Sequence, residues 1–138
     1  VITAVDSTIL LDIVSADRRF GNASREALRS ARRDGRLVAC DAVWAEFGAS
    51  YSSTTEAEVA LLRFGLDYDA TEPATALLAG SAWRAYRSAG GPRSRIMADF
   101  LIAAHAQLQA DRLLTRDRGF YRRYFANLDI LDPSGGGG

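Results

Sequence analysis

Two textures alternate along this chain. Short apolar runs stop at or just before an acidic or hydroxyl residue, and longer stretches between them repeat apolar residues at helical spacing. Val1–Val5 is the first such run, a buried strand that delivers Asp6 at its carboxyl end. Ser7 or Thr8 is placed to cap a short helix through Val14, and Asn22 or Ser24 to cap a second that Asp34-Gly35 stops near Arg33. Arg36–Cys40 reads as the second strand, with Asp41 positioned to cap a helix carrying Trp44, Glu46 and Phe47. A Ser/Thr-rich break at Ser52–Thr55 precedes a helix from about Glu56 to Arg63 and a weak strand at Leu66–Tyr68. Thr71, with Pro73 in the first turn, starts a helix that ends at Gly90-Gly91-Pro92. Ser94 or Arg95 opens another through Gln109, with Ile96, Phe100, Ala103 and Ala104 as its apolar stripe. Arg112–Thr115 is the next strand, Gly119–Phe125 a short helix or turn, and Leu128–Leu131 a last strand.

Strands alternating with helices predict a parallel α/β sheet with right-handed crossovers. Ligands in such sheets bind beyond the carboxyl ends of the strands. Asp6 and Asp117 both follow predicted strands, so they are expected on one edge.

At 138 residues there is room for one domain, expected over residues 1–133, followed by a flexible Gly-rich tail at 134–138. No apolar run approaches the ~20 residues of a membrane helix, which makes the cytoplasm the expected location. Cys40 is the single cysteine, which excludes an internal disulfide and reads as a small core side chain. The 17 basic and 17 acidic residues cancel, so net charge does not point to nucleic acid. All the basic residues are arginine. Without lysine, a P-loop phosphate site, a Schiff base and a receiver-type acidic pocket are excluded.

Glu46 and Asp99 each interrupt a mostly apolar helical stripe, Glu46 beside Val43 and Ser50, Asp99 beside Ile102, Ala103 and Ala106. No basic residue lies three or four positions from Glu46, whereas Arg95 lies four before Asp99 and offers it an ordinary ion pair. Gathering these acids with Asp6 and Asp117 costs about 4 kcal/mol for each pair of like charges at 4 Å and an effective dielectric near 20. A hard divalent cation such as Mg²⁺ or Mn²⁺ reverses that sign.

The segments AVDSTILLDIV at 4–14, ACDAVWAEF at 39–47, RIMADFLIAAHAQ at 95–107 and LLTRDRGF at 113–120 together resemble the PIN-domain family, and within it the VapC-type toxins. The resemblance runs over nearly the whole chain. It implies a three-layer α/β/α fold around a mostly parallel sheet of 4–5 strands. It also implies a Mg²⁺- or Mn²⁺-dependent endoribonuclease cutting structured RNA such as tRNA or rRNA, restrained by a cognate VapB-type antitoxin, and a homodimer or a larger assembly with that antitoxin. On this reading Asp6, Asp99 and Asp117 form the metal shell, and Glu46 is a further ligand or a base that positions water. Ser7 and Thr115 orient the carboxylates from the outer shell.

Arg116 and Arg118, inside the fourth segment, are candidate RNA contacts or solvated charges. His105 sits six residues past Asp99, on a different face, and reads as a structural or surface histidine rather than a general base. Arginines cluster at 18–36 and at 112–123; phosphate binding and a solvated helix face both account for them. Trp44, Phe47, Tyr51 and Trp83 are candidate interface anchors, although aromatics at this spacing are more often core. A haloacid-dehalogenase-type phosphatase is disfavoured because Thr8 stands where its second aspartate belongs. The alternative from another class is a non-catalytic PIN-like module that binds RNA or protein.

Overall fold

A computed structural model describes residues 1–133; the Ser134–Gly138 segment, expected to be a tail, lies outside the described residues. The elements run β1 (Ile2–Val5), α1 (Ser7–Val14), α2 (Gly21–Asp34), β2 (Arg36–Ala39), α3 (Asp41–Gly48), α4 (Thr54–Arg63), β3 (Leu66–Tyr68), α5 (Pro73–Ser88), α6 (Met97–Gln109), β4 (Arg112–Leu114), α7 (Arg118–Tyr124) and β5 (Ile130–Leu131). The strands form one all-parallel sheet in the order β3-β2-β1-β4-β5. This is the α/β architecture that the alternating pattern predicts. Among the described residues no helix is long and apolar enough to cross a membrane.

β1 lies at the centre because its residues tolerate burial on both faces: Ala4 and Val5 are buried, and so is Thr3. Thr3 keeps its hydroxyl satisfied by accepting from Arg112 Nε at 2.9 Å, and Arg112 also reaches Asp34 at 3.0 Å. From β1 the chain steps outward to β2 and β3, then returns to the other side of β1 for β4 and β5. With the right-handed crossover of parallel strands, the first two connections fall on one face and the last two on the other. The aromatic packing agrees with this division. Phe47 of α3 meets Tyr51 and Phe64 at centroid distances of 5.3 and 6.0 Å. Across the sheet, Phe100 of α6 is surrounded by Trp83 and Tyr86 of α5 and Phe120 of α7, all within 5.4 Å.

Element existence follows the sequence pattern closely; helix starts do not. Asp6, rather than Ser7 or Thr8, occupies the cap position of α1, and it makes no side-chain cap bond. α2 begins at Gly21, so Asn22 and Ser24 fall inside its first turn. Asp17 prepares that start, its Oδ1 accepting from the backbone N–H groups of Arg19 and Phe20 at 2.9 and 2.8 Å. Asp41 is the first residue of α3 instead of its cap, and it holds the Thr71 backbone N–H at 3.1 Å. α6 starts two residues later than Arg95, at Met97.

Of the four aromatic candidates for an interface, Phe47 is wholly buried, and Trp44, Tyr51 and Trp83 are partly buried against the core. Cys40 is buried as expected, and burial raises its thiol pKa. His105 is structural: it is buried, and its Nε2 lies 2.8 Å from Asp69 Oδ2, tying α6 to the segment after β3.

Phe100, fully buried at the centre of the aromatic group, is the anchor of the α5–α7 layer. Truncation to alanine takes the ring away from Trp83, Tyr86, Phe120, Tyr124 and Phe125 and leaves a cavity. Phe100→Ala is expected to lower unfolding free energy by about 3–5 kcal/mol, measured by urea denaturation with circular dichroism.

Candidate active site

The sheet order contains one topological switch point, between β1 and β4, where the connections leave in opposite directions; open α/β sheets bind ligands at such a crevice. Register then decides which side chains meet there. Val5 pairs with Leu114, and the Asp6 N–H donates to Leu114 O at 3.0 Å, so Asp6 and Thr115 emerge side by side.

Asp6 is buried, and its carboxylate is held from several sides. Oδ2 accepts from Thr115 Oγ at 2.7 Å and lies 3.4 Å from the Tyr121 hydroxyl. Ser7 Oγ stands 3.5 Å from Oδ1, and it donates a shorter bond of 2.8 Å to Glu46 Oε1 on α3. Ser7 therefore joins the first two acids, and Thr115 joins the first and fourth: its oxygen also accepts the Asp117 backbone N–H at 3.1 Å.

Asp99 sits in the first turn of α6, where Oδ2 accepts from the Ile96 N–H at 3.0 Å. This is the reverse half of a capping box. Asp117, at the cap position of α7, forms an ion pair with Arg95 through Oδ2. Sequence spacing offers Arg95 to Asp99 instead, four residues away. The start of α6 at Met97 leaves Arg95 in the preceding loop, and there it turns to Asp117 and stacks on Phe120 with its guanidinium carbon 3.9 Å from the ring centroid.

The electrostatics bind these groups into one neighbourhood. Burial raises the Asp6 pKa, the Thr115 hydrogen bond opposes that rise, and the charges of Glu46 and Asp99 add to it; the net shift is upward. Burial, joined by the charges of Asp6, Asp99 and Asp117, pushes Tyr121 well above its ordinary value, so Tyr121 is a neutral O–H donor toward Asp6. Burial works against the charged Arg95, but the hydrogen bond and charge of Asp117, with Asp99 and Tyr121 beyond, outweigh it and raise its pKa.

Among the described residues no three of these side chains converge on a point that would hold a cation. Each carboxylate is turned to a protein donor: Thr115, Ser7, the Ile96 amide or Arg95. The donor set still fits a hard divalent ion in kind, being carboxylate oxygens that share an under-neutralised, partly desolvated region.

The remaining candidates lie elsewhere. Arg116 is engaged by Asp12, with Nε and Nη2 at 2.8 and 3.0 Å from its two oxygens, and its guanidinium carbon lies 4.1 Å from the Phe20 ring centroid. That bidentate pair fixes the β4–α7 loop to α1 and raises the Arg116 pKa. Arg118 lies 3.5 Å from Asp132 Oδ2. Two residues of the site, Tyr121 and Arg95, are not singled out for it by the sequence. Tyr121 does carry a signal, because it follows Asp117 by four positions on one helical face; Arg95 carries none pointing to Asp117.

The fold and the acid set together define a parallel α/β protein with a carboxylate crevice at its switch point. A family model for the PIN domain matches residues 3–126. The chain belongs to the PIN-domain family. Its fold is similar to that of solved VapBC structures. One is VapBC2 from Rickettsia felis bound to a promoter DNA fragment, with TM-score 0.73 and 17% identity over 96% of this chain and 98% of that one. Another is VapBC-1 from nontypeable Haemophilus influenzae, with TM-score 0.72 and 19% identity over 97% and 99%. DNA-bound VapBC from Salmonella typhimurium has TM-score 0.67 and 17% identity over 96% and 98%. No curated protein sequence gives a significant match.

The raised Asp6 pKa has a definite sign in stability. Because the folded protein holds that proton more tightly than the unfolded chain, whose aspartates titrate near 3.8, its stability without metal falls as pH rises from there through the raised folded value. Asp6→Asn is therefore expected to raise the melting temperature at pH 7 in EDTA, with the gain disappearing as pH falls toward 3.8. A gain that is independent of pH would contradict a carboxyl whose pKa burial raises. Differential scanning fluorimetry across pH provides the measurement.

Proposed function

We propose that this chain is a Mg²⁺- or Mn²⁺-dependent endoribonuclease and the toxin half of a type II toxin–antitoxin pair, inhibiting translation and growth by cutting structured RNA such as tRNA or rRNA. The observation that carries this reading is the set of four acids at the switch point of a PIN fold, three of them, Asp6, Glu46 and Asp117, linked through Ser7 and Thr115, with Asp99 close enough for its charge to raise the Asp6 pKa. The resemblance to VapBC complexes supports an antitoxin of VapB type as the partner; a homodimer, or a larger assembly with that antitoxin, is part of the same proposal.

Asp6, Asp99 and Asp117 would hold the cation, with Glu46 as a further ligand or a base. When bound, the cation lowers the pKa of a water nucleophile and neutralises charge developing on the phosphoryl oxygens. The chain's own groups supply the rest. Thr115 and Tyr121 fix the Asp6 carboxylate in a single orientation, since both donate to Oδ2. Ser7 holds Glu46, which would take a proton from the attacking water. The Asp12–Arg116 pair holds the loop that carries Thr115 and Asp117 in register with β1.

Cleavage of a mixed tRNA and rRNA pool in Mg²⁺, Mn²⁺ or EDTA tests the reading. Cutting is expected with either metal and not with EDTA, and Asp99→Asn is expected to lower it by roughly a hundredfold or more. Thr115→Val, which removes only the outer support of Asp6, is expected to lose about 10- to 100-fold. If Asp99→Asn cuts as well as the wild type, the metal assignment fails. A wild-type chain that binds RNA without cutting it under any of these conditions would be the non-catalytic module.

A further inference from the structure

Beside the carboxylates, a cleft of about 420 Å³ opens between the loop of residues 90–95 and α7; Ser94, Arg95, Phe120, Arg123 and Tyr124 are among the residues that line it, and among the described residues no carboxylate does. The volume lies within the range of single-ligand pockets. Its wall is built rather than loose. Gly90 takes φ +83°, and Gly91 lies against the Tyr86 ring so closely that a Cβ would meet its atoms at 2.5 Å. The Tyr86 hydroxyl donates to Pro92 O, and Arg87 Nη1 donates to Gly91 O at 2.7 Å.

Two guanidinium groups stand over two rings here. Arg95 covers Phe120 at 3.9 Å, and Arg123, which is exposed, lies 5.5 Å from the Tyr124 centroid. Arg95 also links the cleft to the acidic crevice, because the same side chain pairs with Asp117. Cationic side chains interleaved with partly exposed aromatic rings suit an unstacked nucleotide, whose phosphate takes the charge and whose base takes the ring face.

We propose that this cleft is the subsite for the nucleotide next to the scissile phosphodiester, with its phosphate on Arg95 and Arg123 and its base on Tyr124. The proposal rests on the ribonuclease reading and adds to it a specific docking place for the strand.

The test is binding of a short single-stranded oligoribonucleotide in EDTA, followed by fluorescence anisotropy. Arg123→Gln is expected to weaken affinity about fivefold and to reduce the slope of log affinity against log salt by roughly 0.7, the value of one phosphate contact on a single strand. Arg122→Gln, the exposed neighbour that does not line the cleft, is expected to change affinity less than about twofold. AMP should bind about fivefold more tightly than ribose 5-phosphate, with NMR shifts at Tyr124. Equal effects of the Arg122 and Arg123 substitutions overturn the phosphate site, and equal binding of AMP and ribose 5-phosphate overturns the stacking site. The two readings separate cleanly. A chain that cuts RNA with Mg²⁺ but is indifferent to Arg123 loses this subsite and keeps the nuclease; one that binds RNA through Arg123 and never cuts does the reverse.

Discussion

The carboxylate of Asp6 is the constraint around which this site is arranged. It lies at the carboxyl end of the central strand, taken out of water, and a buried charge is tolerable only if hydrogen-bond donors replace its hydration. Parallel pairing of β1 with β4 supplies the first donor, because Thr115 follows the strand that runs beside it. α7 supplies the second through Tyr121. These donors moderate the cost of burial without removing it, and the carboxyl pKa remains raised. A cation at this place would act on a group already oriented and only partly neutralised.

The second carboxylate relationship is one of competition. Asp117 needs a positive partner, and Arg95 provides it from a loop whose backbone is fixed by Gly90, Gly91 and Tyr86. The same guanidinium rests on Phe120, so its position is set by a ring face as well as a charge. Arginine is suited to this double contact, being planar and permanently charged. The Asp12–Arg116 pair repeats the design within the same loop, with Phe20 as the ring. The loop carrying Thr115 and Asp117 is thus tied down by two stacked arginines, each paired with a carboxylate.

These pairings also explain why net charge says little about nucleic acid. Several arginines of the late cluster are engaged internally: Arg112 with Thr3 and Asp34, Arg116 with Asp12, Arg118 with Asp132. Arg123 stands beside an aromatic ring at the mouth of a cleft. Sequence clustering weighs all of them equally, whereas the fold assigns them to different work.

Strand and helix periodicity determined the order of elements from the sequence alone, since burying one apolar face leaves its period in the chain. Even the three-residue strand at Leu66–Tyr68 was legible, as were four acids placed after strands or within apolar stripes. Helix starts were less so. Asn22 and Asp41 meet the local criteria for caps, and Ser94 or Arg95 those for a helix start, but distant partners such as Thr71 claim the side chain, or the first turn begins elsewhere. Local rules do not see those partners. Only the tertiary structure decided that Arg95 faces Asp117 instead of Asp99, that Arg116 is held by Asp12, and that Tyr121 donates to Asp6. The reason is physical. Residues within one element are related by the fixed geometry of its backbone, which the sequence displays, whereas contacts across 22, 104 or 115 positions depend on strand register and helix placement that emerge when the core closes.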